Sequence, residues 1–273
     1  MGQGTFGQVK VFNHFTAPPG GITTGVPDAL FTNLGGGVGL IGVNEGVLAL
    51  TIDEPGGIID ITTDTGDNDN QALVAGAFKP ADGGMEMECR FKITDSVASA
   101  RAAVFIGFTE TFAHDTPVMP AETATTTTTY NGTGGMVGFL FDSDATTINM
   151  RFVAGDAGVA LATVAGDYAT VAPGTVGGAI GLSVNLTGGA SGNLLVADKW
   201  YIAKIEVGTD GIAKGYFCGL NDTDTLRLVG KNTTALGTTD NFHAIAMIEN
   251  RSGANERLEV DYFYANGWVD WTA

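Results

Sequence analysis

Two pairs of carboxylates have a spacing that could do chemistry. Glu86 and Glu88 read E-x-E, and Glu259 and Asp261 read E-x-D. Side chains of a strand switch face at every residue, so each pair shares one face. Two carboxyl groups on one face are what glycosidic cleavage needs, and retaining chemistry wants them roughly 5 Å apart. Arg90 continues the face of the first pair, and no further Glu follows Asp261 before the chain ends. Both pairs therefore read as charges on a solvent or interface face, and no catalytic residue is assigned. Trp200, Trp268 and Trp271 could stack on sugar rings or pack against a neighbour, and they are the candidate glycan or interface contacts. The stretches DTGDNDN (64–70) and NDTD (221–224) are rich in oxygen ligands. Calcium takes six to eight oxygens, but an EF-hand frame from Asp67 puts Ala72 where Gly is needed and Phe78 where Glu is needed. Asx turns account for both loops, with calcium as the alternative. His14, His114 and His243 are scattered, G-x-S-x-G is absent, and no Ser–His–Asp arrangement can be argued. His243 opens a strand and reads as a satisfied surface or edge residue.

The totals narrow the partners. Net charge is −17 with only 13 Lys and Arg, which excludes a basic nucleic-acid footprint and disfavours anionic membranes. No apolar run approaches the roughly 18 residues that span a bilayer. Cys89 and Cys218 fall in separate predicted strands and read as two buried free thiols, and no CxxC suggests zinc. The opening MGQGTFGQVK has no signal-peptide pattern and carries Phe at position 6, where myristoylation wants Ser or Thr. The expectation is synthesis and assembly in a cytoplasm, with no cofactor.

These side chains sit on strands. Met85, Met87, Cys89, Phe91 and Ile93 alternate with Glu86, Glu88, Arg90 and Lys92, giving one core face and one wet face. After a polar turn, Ala102, Val104, Ile106 and Phe108 alternate with Ala103, Phe105 and Gly107, so both faces of that strand are covered. The two read as a central hairpin in a sheet whose second face is partly covered by something else. Residues 199–207 (KWYIAKIEV) resume strict alternation, which puts Trp200 on the face away from the core. Residues 257–265 read with Leu258, Val260, Tyr262 and Tyr264 inward and Glu259, Asp261 and Phe263 outward. No segment of ten or more residues has helical periodicity, and 41 glycines punctuate the chain. Residues 1–32 read as an arm, with a short strand at 8–15, lying on a neighbour or on its own sandwich. The excursion 112–135 contains five consecutive threonines, 125–129. Ordering a backbone costs roughly 1–2 kcal/mol per residue, so the arm and the Thr loop are expected to be mobile alone and to order on a neighbouring subunit.

The order of pieces from residue 34 to 268 carries a resemblance. MECRFKI and AAVFIGF are followed by VGFLFDSD, then WYIAKIEVGTDGIAKGYF, then LEVDYFYANGW. This resembles the concanavalin A-like jelly-roll module, in the version found in tailed-phage virion proteins, especially head decoration or cement proteins. The resemblance implies an all-β, antiparallel two-sheet jelly-roll sandwich over 33–273 behind an extended N-terminal arm. It implies a non-enzymatic structural virion protein of a tailed bacteriophage, a capsid decoration or cement protein that stabilises the head shell. Its partners would be the major capsid protein and copies of itself, as a homotrimer, on the outer surface of the capsid. The alternative is a carbohydrate-binding, lectin-like module on a phage fibre or surface. A weaker alternative is a glycoside hydrolase of the same fold. Such hydrolases carry E-x-D-x-x-E, and Tyr262, Phe263 and Tyr264 stand where that pattern would continue.

Overall fold

Strict alternation of apolar and polar residues builds two antiparallel sheets, one against the other. The computed structural model describes residues 8–13, 32–34, 47–54, 56–63, 70–93, 102–110, 118–125, 127–131, 134–145, 150–161, 163–165, 197–218, 226–251 and 256–268. The strands are β1 (Gln8–Asn13), β2 (Thr32–Leu34), β3 (Val47–Glu54), β4 (Gly56–Thr62), β5 (Asn70–Phe78), β6 (Met85–Ile93), β7 (Ala102–Thr109), β8 (Ala121–Ala124) and β9 (Thr127–Tyr130). They continue with β10 (Met136–Asp142), β11 (Arg151–Asp156), β12 (Val159–Ala160), β13 (Thr163–Ala165), β14 (Tyr201–Val207), β15 (Ala213–Cys218), β16 (Arg227–Asn232), β17 (Phe242–Asn250) and β18 (Arg257–Trp268). One turn of 3-10 helix, Pro80–Asp82, is the only helical element among the described residues.

The larger sheet has nine strands in the order β13-β16-β15-β14-β6-β18-β4-β3, with β1 also paired to β18. The smaller has seven, β12-β11-β10-β7-β17-β5-β2. Between them lies the main core. Met87, Cys89, Phe91, Ala203, Ile205, Phe217, Val260 and Phe263 come from the larger sheet, and Leu73, Val104, Ile106, Phe108, Val137, Phe139 and Phe152 from the smaller. Phe217 is 5.2 Å from Phe139 and 6.2 Å from Phe91, ring centre to ring centre, so one aromatic cluster joins both sheets. Aromatic pairs at such spacing add about 0.5–1.5 kcal/mol each beyond their buried area.

The sequence reading needs four corrections. First, β6 and β7 are not a hairpin. β6 pairs with β14 and β18 in the larger sheet, and β7 with β10 and β17 in the smaller. The chain crosses the sandwich here because β7 is apolar on both faces and needs cover on both, which only the middle of the smaller sheet provides. Second, the register of β18 changes within the strand. A β-bulge puts Asp261 and Tyr262 together opposite Arg90, and beyond it Phe263, Ala265 and Gly267 point inward. Tyr262 and Tyr264, expected inside, therefore stand on the outer face. Third, the Thr-rich stretch is not a bare loop. β8 and β9 pair as a hairpin on the chain's own smaller sheet, because Met119, Ala121 and Tyr130 supply apolar contacts to Phe105, Leu140, Ile245 and Met247. Fourth, of the segment read as an arm, Gln8–Asn13 runs along β18, in the register Gln8 to Trp268 and Asn13 to Phe263. This is the placement on its own sandwich rather than on a neighbour.

Candidate functional site

The outer face of the larger sheet collects the charged and aromatic side chains in rows that cross the strands. One row reads Lys10, Asn266, Glu86, Glu206 and Lys214 across β1, β18, β6, β14 and β15. The next reads Tyr264, Glu88, Lys204 and Tyr216. Cross-strand neighbours lie about 4.5–5.5 Å apart at Cβ, so Glu86 and Glu206, directly opposite each other, need a cation, which Lys204 of the next row supplies. Lys204 Nζ lies 2.6 Å from Glu86 Oε1 and 2.9 Å from Glu206 Oε1. Tyr264 donates its hydroxyl to Glu86 Oε2 at 3.3 Å, Tyr216 to Glu206 Oε2 at 3.1 Å, and Tyr262 to Glu88 Oε1 at 2.5 Å. Burial works against the Lys204 ammonium, but its hydrogen bonds to Glu86 and Glu206 outweigh that and hold it above the ordinary lysine range.

At one end of this face the row opens into a cleft of about 250 Å³ between the start of β6 and the ends of β14 and β18. Trp268, Glu86, Glu206 and Asn266 line it over a floor of glycines. The Trp268 indole lies against Gly83, where a Cβ would come within 2.1 Å of Trp268 Cδ1. Gly83 also holds φ +145°, so both space and backbone require glycine there. Gly84, at φ +82°, closes the turn, and a Cβ on it would meet the Val207 carbonyl oxygen at 2.8 Å. The turn KPADGG thus serves to seat the tryptophan.

The three candidate tryptophans separate. Trp268 lines the cleft. Trp200 stands on the same outer face, as its alternation predicted, but near the far end of β6. Its ring is covered by Arg90 at 4.6 Å and Lys92 at 4.9 Å. Six residues of strand separate Lys92 from Glu86, roughly 20 Å, so Trp200 and Trp268 do not share a site. Trp271 lies outside the described residues. The two carboxylate pairs singled out from sequence are paired with cations and tyrosines: Glu259 with Lys92 at 2.8 Å and Arg257 at 3.0 Å, Asp261 with Arg90 at 2.5 Å. The oxygen-rich loops 64–69 and 221–224 lie outside the described residues, and among the described ones no group of three or more His, Cys, Asp or Glu could hold a metal ion. His243 meets the Gly76 carbonyl at 2.8 Å, and burial pushes its pKa down. Cys89 and Cys218 are both buried thiols outside any disulfide. They sit two strands apart on opposite faces of the sheet, beyond the reach of a disulfide.

Sequence reasoning missed the pairing of Glu86 with Glu206. The two lie 120 positions apart, and only the register of β6 with β14 makes them opposite neighbours. It also missed a buried polar cluster at one edge of the smaller sheet's outer face. Arg251 reaches Glu249 at 2.5 Å and Asp142 at 3.0 Å, and Asp142 accepts the Thr123 backbone N–H of β8 at 2.8 Å. Burial lifts the Glu249 carboxyl to about 7 despite Arg251 beside it.

No protein-family model and no curated protein matches this sequence. Solved structures do match by shape. A protein of unknown function from Shewanella oneidensis MR-1 superposes with a TM-score of 0.55 and 15% identity over 97% of this chain and 89% of its own. Peanut lectin gives 0.50 and 9% over 96% and 99%. The CBM2 module of the evolved Dit of Lactobacillus casei BL23 phage J-1 gives 0.50 and 10% over 97% and 99%. At these identities the likeness is one of fold. The chain is an all-β, antiparallel jelly-roll sandwich of the concanavalin A-like kind.

Proposed function

We propose that this chain is a carbohydrate-binding, lectin-like module whose binding site is the Trp268 cleft, and that it binds without cutting. The observation that carries this reading is the cleft itself, where an indole wall stands beside two carboxylates and an amide. A sugar ring offers an apolar C–H face and a rim of hydroxyls. An aromatic face with a few placed polar groups around a concavity is how small polar ligands are held and oriented. Glu86 and Glu206 are acceptors already organised by Lys204, Tyr264 and Tyr216. An acid–base pair for glycoside cleavage needs one carboxyl with a proton to give. One ammonium bonded to both carboxylates holds them as fixed acceptors, which suits binding. The lectin and phage-module likenesses support this at the level of fold.

The test is a glycan array followed by affinity chromatography. The intact chain should be retained and released by free sugar. Trp268→Ala should lose retention while Trp200→Ala keeps it. Equal retention by all three proteins would remove the cleft from consideration, and no retention on any glycan would end the reading. A second reading, the structural virion protein of the decoration or cement type, draws on the likeness to a module of a phage protein. In that reading the outer face of the larger sheet would dock on a capsid protein or on a sister copy. Quantitative mass spectrometry of purified particles separates the two, since a cement protein should be present at high copy number and show no affinity for sugar.

A further inference from the structure

We infer that the Trp268 cleft ranks saccharides by charge, taking amino sugars over neutral ones and neutral ones over acidic ones; this rests on the carbohydrate-binding reading. Among the described residues, the charged ones lining the cleft are Glu86 and Glu206, and no cationic side chain lines it. Lys204, the one cation among the described residues in contact with both, is held between them at 2.6 and 2.9 Å, which leaves the pair negative in sum. Lys10 and Lys214 close the two ends of the same row, opposite Asn266 and Glu206, and neither lines the cleft. Lys10 instead lies over the Tyr264 ring at 5.2 Å. The rim adds charge of the same sign. Asp82 is exposed beside Gly83, and exposed Asp210 stands where a Cβ on Gly208 would come within 2.6 Å of its Oδ1.

The hydrogen-bonding capacity agrees with the charge. Each of the four carboxylate oxygens takes one bond within the protein: Glu86 from Lys204 and Tyr264, Glu206 from Lys204 and Tyr216. A carboxylate offers about four lone-pair sites, so both groups keep acceptor capacity. The neighbouring backbone donors are already spent. Gly83 and Gly84 donate to the Pro80 carbonyl at 3.2 and 2.8 Å, and Gly208 donates to Ile212 at 2.9 Å. The two carboxylates therefore offer charged acceptors to a ligand rich in donors, beside the Asn266 amide and the Trp268 indole N–H. Beyond the hydroxyls that all three share, which donate and accept, a sugar ammonium adds three N–H donors and a favourable charge, a neutral sugar adds no charge, and a uronate adds acceptors that meet like charge. Such juxtaposition suppresses wrong ligands more than it strengthens right ones.

The experiment titrates the full chain calorimetrically, at low and at high salt, with three oligosaccharides of equal length: glucosamine, glucose and galacturonate oligomers. The expected order of affinity is glucosamine, then glucose, then galacturonate, with at least about tenfold between first and last at low salt and a narrower gap at high salt. The double change Glu86→Gln with Glu206→Gln should also narrow the gap, with near-UV circular dichroism confirming that the sandwich persists. Galacturonate binding as tightly as glucosamine, and abolished by Trp268→Ala, would overturn the charge ranking and leave the carbohydrate reading standing. Absence of binding to these probes and to every sugar of an array would overturn both.

Discussion

The two sheets turn opposite outer faces to their surroundings. The face of the larger sheet is a lattice of ion pairs and tyrosines that stays partly solvated: Arg90 is 37% exposed and Asp261 20%. The face of the smaller sheet is dry. It carries a second apolar layer of Phe105, Leu140, Val153, Ile245 and Met247, closed over by the β8–β9 hairpin. The charges at its border are sealed, with Arg251 only 5% exposed and Asp142 1%. One chemistry, arginine beside carboxylate, thus does two different jobs. On the open face it keeps a sheet soluble and positions groups around a cleft. On the closed face it ties a hairpin down, and desolvation makes it costly to disturb.

Breaking one ion pair on each face should give the largest contrast. Arg251→Ala removes the cation that pairs with both Glu249 and Asp142, and removing one partner of a buried pair typically costs about 3–5 kcal/mol. Arg90→Ala removes an exposed pair with Asp261 and a stacking contact with Trp200, for which about 1 kcal/mol or less is expected. Urea unfolding of the two variants measures both. Equal losses would mean that the two faces do not differ in the way described.

Acidity sharpens the same contrast. Burial raises Glu249 from 4.5 to about 7 in the folded chain, so between those values the folded state holds a proton that the unfolded state has released. Stability from this group is therefore fully present below about pH 4.5 and is lost as pH rises through about 7, a fall of order 3 kcal/mol at most. Glu249→Gln should flatten the stability profile between pH 5 and 8. A wild-type profile that rises over that window, with no change in the Gln variant, would refute the assignment.

The smallest effect concerns Tyr130, whose hydroxyl is buried with no hydrogen-bond partner among the described residues. Tyr130→Phe removes a polar atom that makes no bond, so a change within about 1 kcal/mol, neutral or stabilising, is expected from the melting temperature. A large loss would show that the hydroxyl serves the closed face in a way its geometry does not reveal.

How much of this was legible can be said residue by residue. The sequence determined the element type where alternation is unbroken, as in MEMECRFKI and YIAKIEV, because a period of two admits only a strand; in the Thr-rich 121–130, where it is not, the strands went unread. It also determined that Trp200 faces away from the core and that both faces of AAVFIGF need cover. It did not determine which strands pair. Alternation specifies a face, not a neighbour, so β6 and β7 looked like a hairpin while the fold placed them in different sheets. Nor did it determine the register of DYFYANGW, which alternates equally well in both phases because tyrosine suits either face. The bulge opposite Arg90 settled that phase, and with it the tyrosines of the outer face. The cleft was decided only by tertiary structure. Trp268 needed a bare Gly83 backbone, and Glu86 needed Glu206 opposite it, and both contacts join parts of the chain that sequence spacing leaves unrelated.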